Sequence, residues 1–362
     1  MTVSVLPARS PFRVIDILKV IAAQCIVLHH FSAYGPLSEA VSDAMPELMA
    51  WLYRHARMAV QVFLVVAGYL AARSFALTAR PVGSLLADLG QRYLRLVLPF
   101  VAALVLTVLC SAIARPYLDV DVVPKVPTAG QFLAHASLLH SVLDVESLSA
   151  GVWYVAIDFQ LYAVLALLLW CSRGNRWLSM GLVTLLCIAS LMWFNTDAGW
   201  DVWAVYFFGA YGLGALAWWS GLRARHGAVA LSLYLTALCV GLTALAVDFR
   251  ERIALAISVS AVLVGLGNWQ PRLPRALDRV VERLSQTSYA LFLVHYSVLL
   301  LANAAWSALD LALDLEDGLV ATLFMLGSWL MAMGASVLFH TQVEQRLEQW
   351  RISVRPVLLT AK

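Results

Sequence analysis

Residues 151–170 read GVWYVAIDFQLYAVLALLLW, a run of twenty residues with a single charged side chain, Asp158. About 20 consecutive apolar residues are what an α-helix needs to cross the hydrocarbon core of a bilayer. Lipid offers no hydrogen-bond partners to backbone groups, so a segment of this kind crosses as a helix. This run predicts a transmembrane helix, and the runs on either side of it predict the fold of the whole chain.

Nine further runs have the same character. We predict ten spans, at residues 14–34, 51–72, 94–113, 151–170, 177–194, 202–220, 228–247, 253–267, 284–305 and 319–340. The segment QFLAHASLLHSVL at residues 131–143 is too short and too polar to cross, and it predicts a re-entrant or interfacial helix.

Composition supports a membrane protein. Of the 362 residues, 62% are hydrophobic and 13% are charged, whereas soluble domains average about 45–50% apolar and about 25% charged residues. The expected fold class is an all-α, polytopic integral membrane protein of about ten transmembrane helices. We expect a single membrane-embedded domain over residues 1–362, with no soluble domain.

Two classes of ligand are disfavoured by the sequence. Basic residues are not interleaved with aromatic residues in any patch, so no nucleic-acid partner is expected. The five cysteines lack CxxC or other metal-ligand spacing, so no metal site is predicted. We also expect no tightly bound cofactor.

The positions of the basic residues predict the orientation. If the N-terminus lies inside, 19 of the 25 lysine and arginine residues fall in inside segments. Because inside loops carry an excess of Lys and Arg, this asymmetry predicts that both termini are cytoplasmic.

The first predicted span carries three ionisable residues on one face. Asp16 lies three residues before Lys19, and His30 lies eleven residues after it, which is about three turns, or roughly 16 Å along the axis. An ionisable group inside a span costs about 2.5–3.5 kcal/mol and is a functional candidate. We predict that His30 is a buried base and Lys19 an anion contact. The alternatives are a histidine satisfied in the core and a snorkelling lysine.

Arg92 and Arg95 share a helix face at the start of the third span. Guanidinium groups at the positive end of a helix suit phosphate groups. The alternative interpretation is a positive-inside anchor in which Arg92 pairs with Asp88.

Two later spans also carry polar candidates. Asp158 is the one acidic residue of its span and needs a histidine or arginine partner from another span, with Tyr162 one turn further on the same face. His295 lies in the ninth span, with Ser288 on a similar face. The alternatives are a structural ion pair for Asp158 and a helix-joining hydrogen bond for His295.

Four ordered motifs resemble those of the membrane-bound acyltransferase family 3, which includes bacterial polysaccharide O-acetyltransferases. They are a basic residue and a histidine eleven residues apart (Lys19, His30), RYLRLVLPF (Arg92, Arg95), WYVAIDFQLY (Trp153, Asp158, Tyr162) and SYALFLVH (Ser288, His295). The chain departs from the family pattern in having Asp158 where glutamate is usual and Tyr154 where serine is common.

The resemblance implies transfer of an acyl group, most simply acetyl, from cytoplasmic acyl-CoA to a hydroxyl of an extracytoplasmic or lipid-linked carbohydrate. It implies a multi-pass protein of the cell inner (plasma) membrane, in contact with membrane lipid. Lys19, Arg92 and Arg95 are then expected to bind the acyl-CoA.

The same resemblance suggests catalytic roles. His30 is expected to act as the base or to carry the acyl group, with Asp158 or His295 orienting it. Arg57 and Trp153 are expected on the acceptor side, where Arg57 could also steady Asp158 or be a plain interfacial arginine.

Two other functions fit the buried polar residues. A transporter or flippase for an anionic solute or glycan would use them as a proton relay, although the chain lacks internal repeats. The other alternative is a membrane scaffold or regulatory subunit that kept the fold and lost the catalytic activity. The acceptor, the acyl group and the oligomeric state are left open by the sequence.

Overall fold

A computed structural model describes residues 12–77, 84–119, 121–221, 227–313 and 318–360, and these residues form helices and connecting turns without a strand. The α-helices are α1 (Arg13–Ala33), α2 (Pro36–Ala44), α3 (Pro46–His55), α4 (Val60–Leu77), α5 (Leu85–Ala114), α6 (Ala129–Ala136), α7 (Trp153–Cys171), α8 (Arg176–Met192), α9 (Ala204–Ser220), α10 (Gly227–Val247), α11 (Glu251–Leu266), α12 (Arg275–Gln286), α13 (Ser288–Leu313), α14 (Gly318–Phe339) and α15 (Gln345–Thr360).

The all-α polytopic fold class is confirmed. Within the described ranges, eight helical segments are long and apolar enough to cross a membrane. The other two predicted spans, 202–220 and 253–267, correspond to α9 and α11, which have 17 and 16 residues. Their apolar runs were predicted correctly, but both helices are shorter than a typical span.

The predicted second span differs in detail. A 3₁₀ turn at Ala56–Ala59 separates α3 from α4, so the run at 51–72 is not one straight α-helix. The segment 131–143 overlaps the short helix α6. The side chains of Thr128 and Gln131 cap the start of this helix by a reciprocal pair of hydrogen bonds, a capping box. Turns follow α6, so this segment does not cross.

Helix α9 lies at the centre of one half of the molecule, and almost all of its residues are buried against α4, α8, α10 and α11. Where α4 crosses α9, a Cβ on Gly68 would overlap the carbonyl oxygen of Tyr211. A Cβ on Gly214 would likewise overlap the carbonyl oxygen of Val65. Glycine at both positions lets the two backbones touch, as is common between membrane helices.

We expect Gly68→Ala to destabilise the protein by about 3 kcal/mol, the upper end of typical overpacking costs, because the neighbouring backbone cannot yield. Thermal melting in detergent measures the effect. The control is Gly327→Ala on α14, where an added Cβ meets nothing within 4 Å. Equal melting temperatures for the two variants would contradict the close crossing.

Helices α1 and α13 run parallel and in register. Three contacts join them or their flanks at nearly constant sequence separation: Lys19 Nζ to the Ser285 carbonyl at 2.9 Å, His30 Nδ1 to His295 Nε2 at 2.6 Å, and Leu37 N–H to Asn303 Oδ1 at 3.0 Å. This register determines which polar residues of the two helices meet.

Candidate active site

Two histidines from different helices meet inside the bundle. His30 of α1 is 8% exposed and His295 of α13 is fully buried. Their rings are nearly parallel, at 9°, with centroids 4.8 Å apart. The 2.6 Å contact between His30 Nδ1 and His295 Nε2 is a hydrogen bond. Through this bond, His295 is in a position to orient His30.

The hydrogen-bond network assigns the tautomers of this pair. His295 Nδ1 lies 3.0 Å from the carbonyl oxygen of Leu291, which can only accept, so Nδ1 carries the proton. In the neutral ring, His295 Nε2 is then an acceptor, and His30 Nδ1–H donates to it. The proton-free nitrogen of neutral His30 is therefore Nε2, which forms no hydrogen bond among the described residues. This nitrogen has the lone pair that a general base needs.

The loop before α7 packs against His30. Gly151 has φ +76°, in the left-handed region that favours glycine. A Cβ there would lie 3.1 Å from the Phe292 ring and 3.4 Å from His30 Cε1. Glycine therefore allows the backbone to approach both rings.

A cavity of about 610 Å³ opens at the end of the bundle where α1 and α5 begin and α14 ends; we call it the main cavity. Its ionisable lining residues come from four helices and one turn: Lys19, Asp88, Arg92, Arg95, Asp158, His340, Glu344, Glu348 and Arg351. Its apolar lining includes Phe63, Val66, Tyr154 and Phe292. Its volume is in the range of small-molecule and cofactor sites.

Asp158 finds its partner in this cavity. Its carboxylate accepts a hydrogen bond from Arg92 Nη2 at 2.5 Å, and the two side chains are 7% and 26% exposed. The Arg92 guanidinium also lies 5.2 Å from the Tyr162 ring centroid, a cation–π distance. An arginine from another span was one of the two partners expected for Asp158.

Two of the residues that the sequence analysis linked to Asp158 do not contact its carboxylate. Its carboxylate contacts Arg92 and not His30, so of the two residues proposed to orient His30, His295 makes the contact. Arg57, which was also proposed to steady Asp158, is exposed in the 3₁₀ turn before α4. Helical spacing gives the face on which Asp158 lies but does not identify the helix that packs there.

The remaining predicted residues of α1 and α13 lie close together. Lys19 lines the main cavity while donating to the Ser285 carbonyl, and Ser288, which also lines it, donates to the same carbonyl at 2.8 Å. Asp16 accepts from Ser285 Oγ at 2.8 Å and pairs with Arg13 at 3.6 Å. Asp16 therefore joins α1 to the end of α12 and is not a lining residue of the cavity.

Arg95 is exposed and lines the main cavity, as a phosphate contact requires. Trp153 is half-buried and stacks on Phe207, with ring centroids 5.5 Å apart and planes at 25°. Its ring thus packs within the core, and contact with an acceptor remains a prediction.

Several cavity residues were missed by the sequence analysis. His340 and Glu344 pair at 2.5 Å within a π-helical turn between α14 and α15, and Arg351 of α15 lines the same cavity. The i,i+4 spacing of His340 and Glu344 was a usable signal, and single π-turns occur often at functional sites. Phe292 is apolar and was not singled out, and Tyr154 was noted only as a departure from the family pattern.

The fold and the site define a helical membrane protein with a buried histidine pair near a charged cavity. The chain belongs to the acyltransferase 3 family: the family model, described as an acyltransferase domain, matches residues 12–341. It is therefore an acyltransferase. Searches of the curated proteins and of the solved structures found no significant match.

The matched range contains His30, Arg92, Asp158 and His295 and ends before Glu344, Glu348 and Arg351. The histidine pair and the Arg92–Asp158 pair thus lie within the acyltransferase domain. Helix α15, which contributes to the cavity lining, begins after it.

Proposed function

We propose that the protein transfers an acyl group, most simply acetyl, from acyl-CoA in the main cavity to a hydroxyl of a carbohydrate that reaches His30 from the opposite side. The observation that carries this proposal is the position of the His30–His295 pair beyond the apolar end of a cavity with basic lining residues. The predominance of Lys and Arg in the inside segments supports a cavity that opens on the cytoplasmic side of the membrane.

The lining of the main cavity suits an extended thioester with a phosphorylated end. Lys19, Arg95 and Arg351 offer charged donors to phosphate oxygens. Glu344 and Glu348 line the same cavity, so binding rests on individual contacts and not on a uniformly positive surface. Arg92, paired with Asp158, contributes charge at the cavity wall.

The proposed reaction is a direct transfer. The acceptor hydroxyl oxygen attacks the thioester carbonyl carbon while His30 Nε2 takes the hydroxyl proton. A C–O bond forms, the C–S bond breaks, and the thiolate leaves with the electron pair of that bond. His30 then returns the proton to the thiolate, so the products are the ester and free CoA. During proton transfer, the His30 Nδ1–H to His295 Nε2 bond stabilises the imidazolium.

We expect Arg95→Ala to raise the KM for acyl-CoA about tenfold, because loss of one charged phosphate contact of about 1.4 kcal/mol weakens binding by that factor. The kcat should change little, since Arg95 lies away from the histidines. Steady-state CoA release measures both constants. Arg279→Ala, an exposed arginine on α12 outside the cavity lining, is the matched control. Similar KM values for the two variants would argue against phosphate binding by Arg95.

The proposed function is tested with purified protein in detergent or liposomes, incubated with acetyl-CoA labelled on the acetyl group. Free thiol and label on added glycans are measured in parallel, with succinyl-CoA and longer thioesters as further donors. Carbohydrate-dependent thiol release with label on the glycan supports the proposal. Folded protein that turns over none of these thioesters with any glycan overturns it.

A further inference from the structure

One aromatic ring lies between the main cavity and the histidine pair. Phe292 of α13 lines the cavity, whereas neither His30 nor His295 is a lining residue. The Phe292 ring centroid is 5.5 Å from that of Tyr154, which also lines the cavity, and 6.1 Å from that of His295. Phe292 therefore has the cavity on one side and the histidine pair on the other.

Gly151 shows how little space remains at this point. The nearest neighbours of a Cβ built on Gly151 are the edge of the Phe292 ring, at 3.1 and 3.2 Å, and His30 Cε1, at 3.4 Å. Phe292, the Gly151 backbone and His30 are therefore packed together. An acyl thioester in the main cavity cannot reach His30 while the ring occupies this position, because reaction requires atoms to come within about 3–3.5 Å.

Phe292 also lines a second, small void, together with Ala103 and Thr107 of α5 and Ser149 and Ala150 of the loop before α7. Larger apolar side chains, Phe100, Leu104 and Leu293, border the same void, whose volume of about 10 Å³ is that of roughly one water molecule. The void is therefore too small to receive the ring of Phe292, which is half-buried. Movement of the ring requires its neighbours to shift with it.

We propose that Phe292 is the barrier between the acyl-donor cavity and the histidine base, and that it determines which acyl groups reach the base. This inference rests on the proposed function. With the ring in place, water in the cavity is kept from His30. The ring turns aside when an acyl thioester fills the cavity, and the space it vacates limits the length of the acyl chain.

The barrier has a chemical reason. Water activated by His30 would attack the thioester carbonyl carbon, forming a C–O bond and breaking the C–S bond. The products are a carboxylate, free CoA and a proton, and the acyl group is lost without an acceptor. A ring that admits the thioester but excludes the cavity water suppresses this hydrolysis.

The test compares Phe292→Ala with wild-type protein and with Phe324→Ala, a half-buried phenylalanine of α14 outside the cavity. Acceptor-independent thiol release and acceptor labelling are measured for acetyl-, butyryl- and octanoyl-CoA. For Phe292→Ala we expect at least a tenfold rise in the ratio of hydrolysis to transfer, together with use of longer acyl chains. The added hydrolysis should disappear in the Phe292→Ala/His30→Ala double variant. Phe324→Ala should keep the wild-type ratio.

A second, more conservative variant separates the proposed effect from misfolding. Phe292→Leu keeps apolar volume without the ring edge, and it should show the same change to a smaller extent. If the folded variants keep the wild-type ratio and chain-length profile, the barrier role is overturned while the proposed function stands. If wild-type protein turns over no thioester, the proposed function fails and the barrier role fails with it.

Discussion

Replacement of His30 by alanine is expected to lower acyl transfer by at least a hundredfold and up to ten-thousandfold, the usual contribution of a positioned general base. The reason is the hydrogen-bond network, which leaves Nε2 as the proton-free nitrogen of His30 and holds the ring through His295. Transfer of labelled acyl groups to the glycan, measured at saturating acyl-CoA, is the readout. The decrease should appear in kcat, with the KM for acyl-CoA nearly unchanged.

The matched control is His55→Ala. His55 is a partly exposed histidine that pairs with Glu251 at 3.0 Å, away from the cavity. Both variants should elute as monodisperse, folded protein. Near-normal kcat in His30→Ala would remove His30 from the mechanism.

Variants of His295 separate orientation from proton transfer. His295→Gln retains an oxygen that can accept from His30 Nδ1–H, whereas His295→Ala removes the acceptor. We therefore expect His295→Gln to keep more activity than His295→Ala, and both to keep more than His30→Ala. If the Gln and Ala variants were equally active, the hydrogen bond at 2.6 Å would not orient His30 during catalysis.

Replacement of Asp158 by asparagine is expected to destabilise the protein by about 3 kcal/mol, because it leaves the Arg92 charge in the protein interior without its counter-ion. We take the low end of the usual range since Arg92 is 26% exposed. A lower melting temperature in detergent is the measurement. Asp248→Asn is the control: Asp248 is 65% exposed and lies 3.6 Å from Arg250, so its loss should cost less than about 1 kcal/mol.

The double variant Arg92→Met/Asp158→Leu distinguishes the roles of this pair. Removing both charges should restore much of the stability lost in Asp158→Asn, because no unpaired charge is left in the interior. A stable but inactive double variant would show that the pair also serves donor binding or catalysis. If the stability losses of Arg92→Met and Asp158→Leu, measured singly, add up to the loss of the double variant, a direct interaction between the two residues is contradicted.

The spans could be predicted from the sequence because lipid imposes a simple rule on the backbone. A run such as 151–170 must form a helix in a bilayer, and α7 occupies Trp153–Cys171. The same rule made the ionisable residues inside spans conspicuous, and His30, Asp158 and His295 are all buried. The turn at Ala56–Ala59 was missed because it contains no glycine or proline to mark a break, and its Arg57 fits the outer end of a continuous span equally well.

The partners of these residues were decided only by tertiary structure. Helical periodicity states which face of a helix a residue occupies, but it does not state which helix packs against that face. The parallel register of α1 and α13 places His30 against His295, and the approach of α5 to α7 places Arg92 against Asp158. On spacing alone, Asp88 was an equally plausible partner for Arg92, and Arg57 for Asp158.

A polytopic helical membrane protein with a few costly polar residues inside its spans follows from the sequence alone. The packed structure was needed to show that His30 and His295 form a pair, that α15 contributes Arg351 to the main cavity, and that Phe292 lies between the pair and the cavity. The physical reason is that burial of apolar runs in lipid is a local property of the chain. Contacts between helices depend instead on side chains that are distant in sequence and meet only when the bundle is packed.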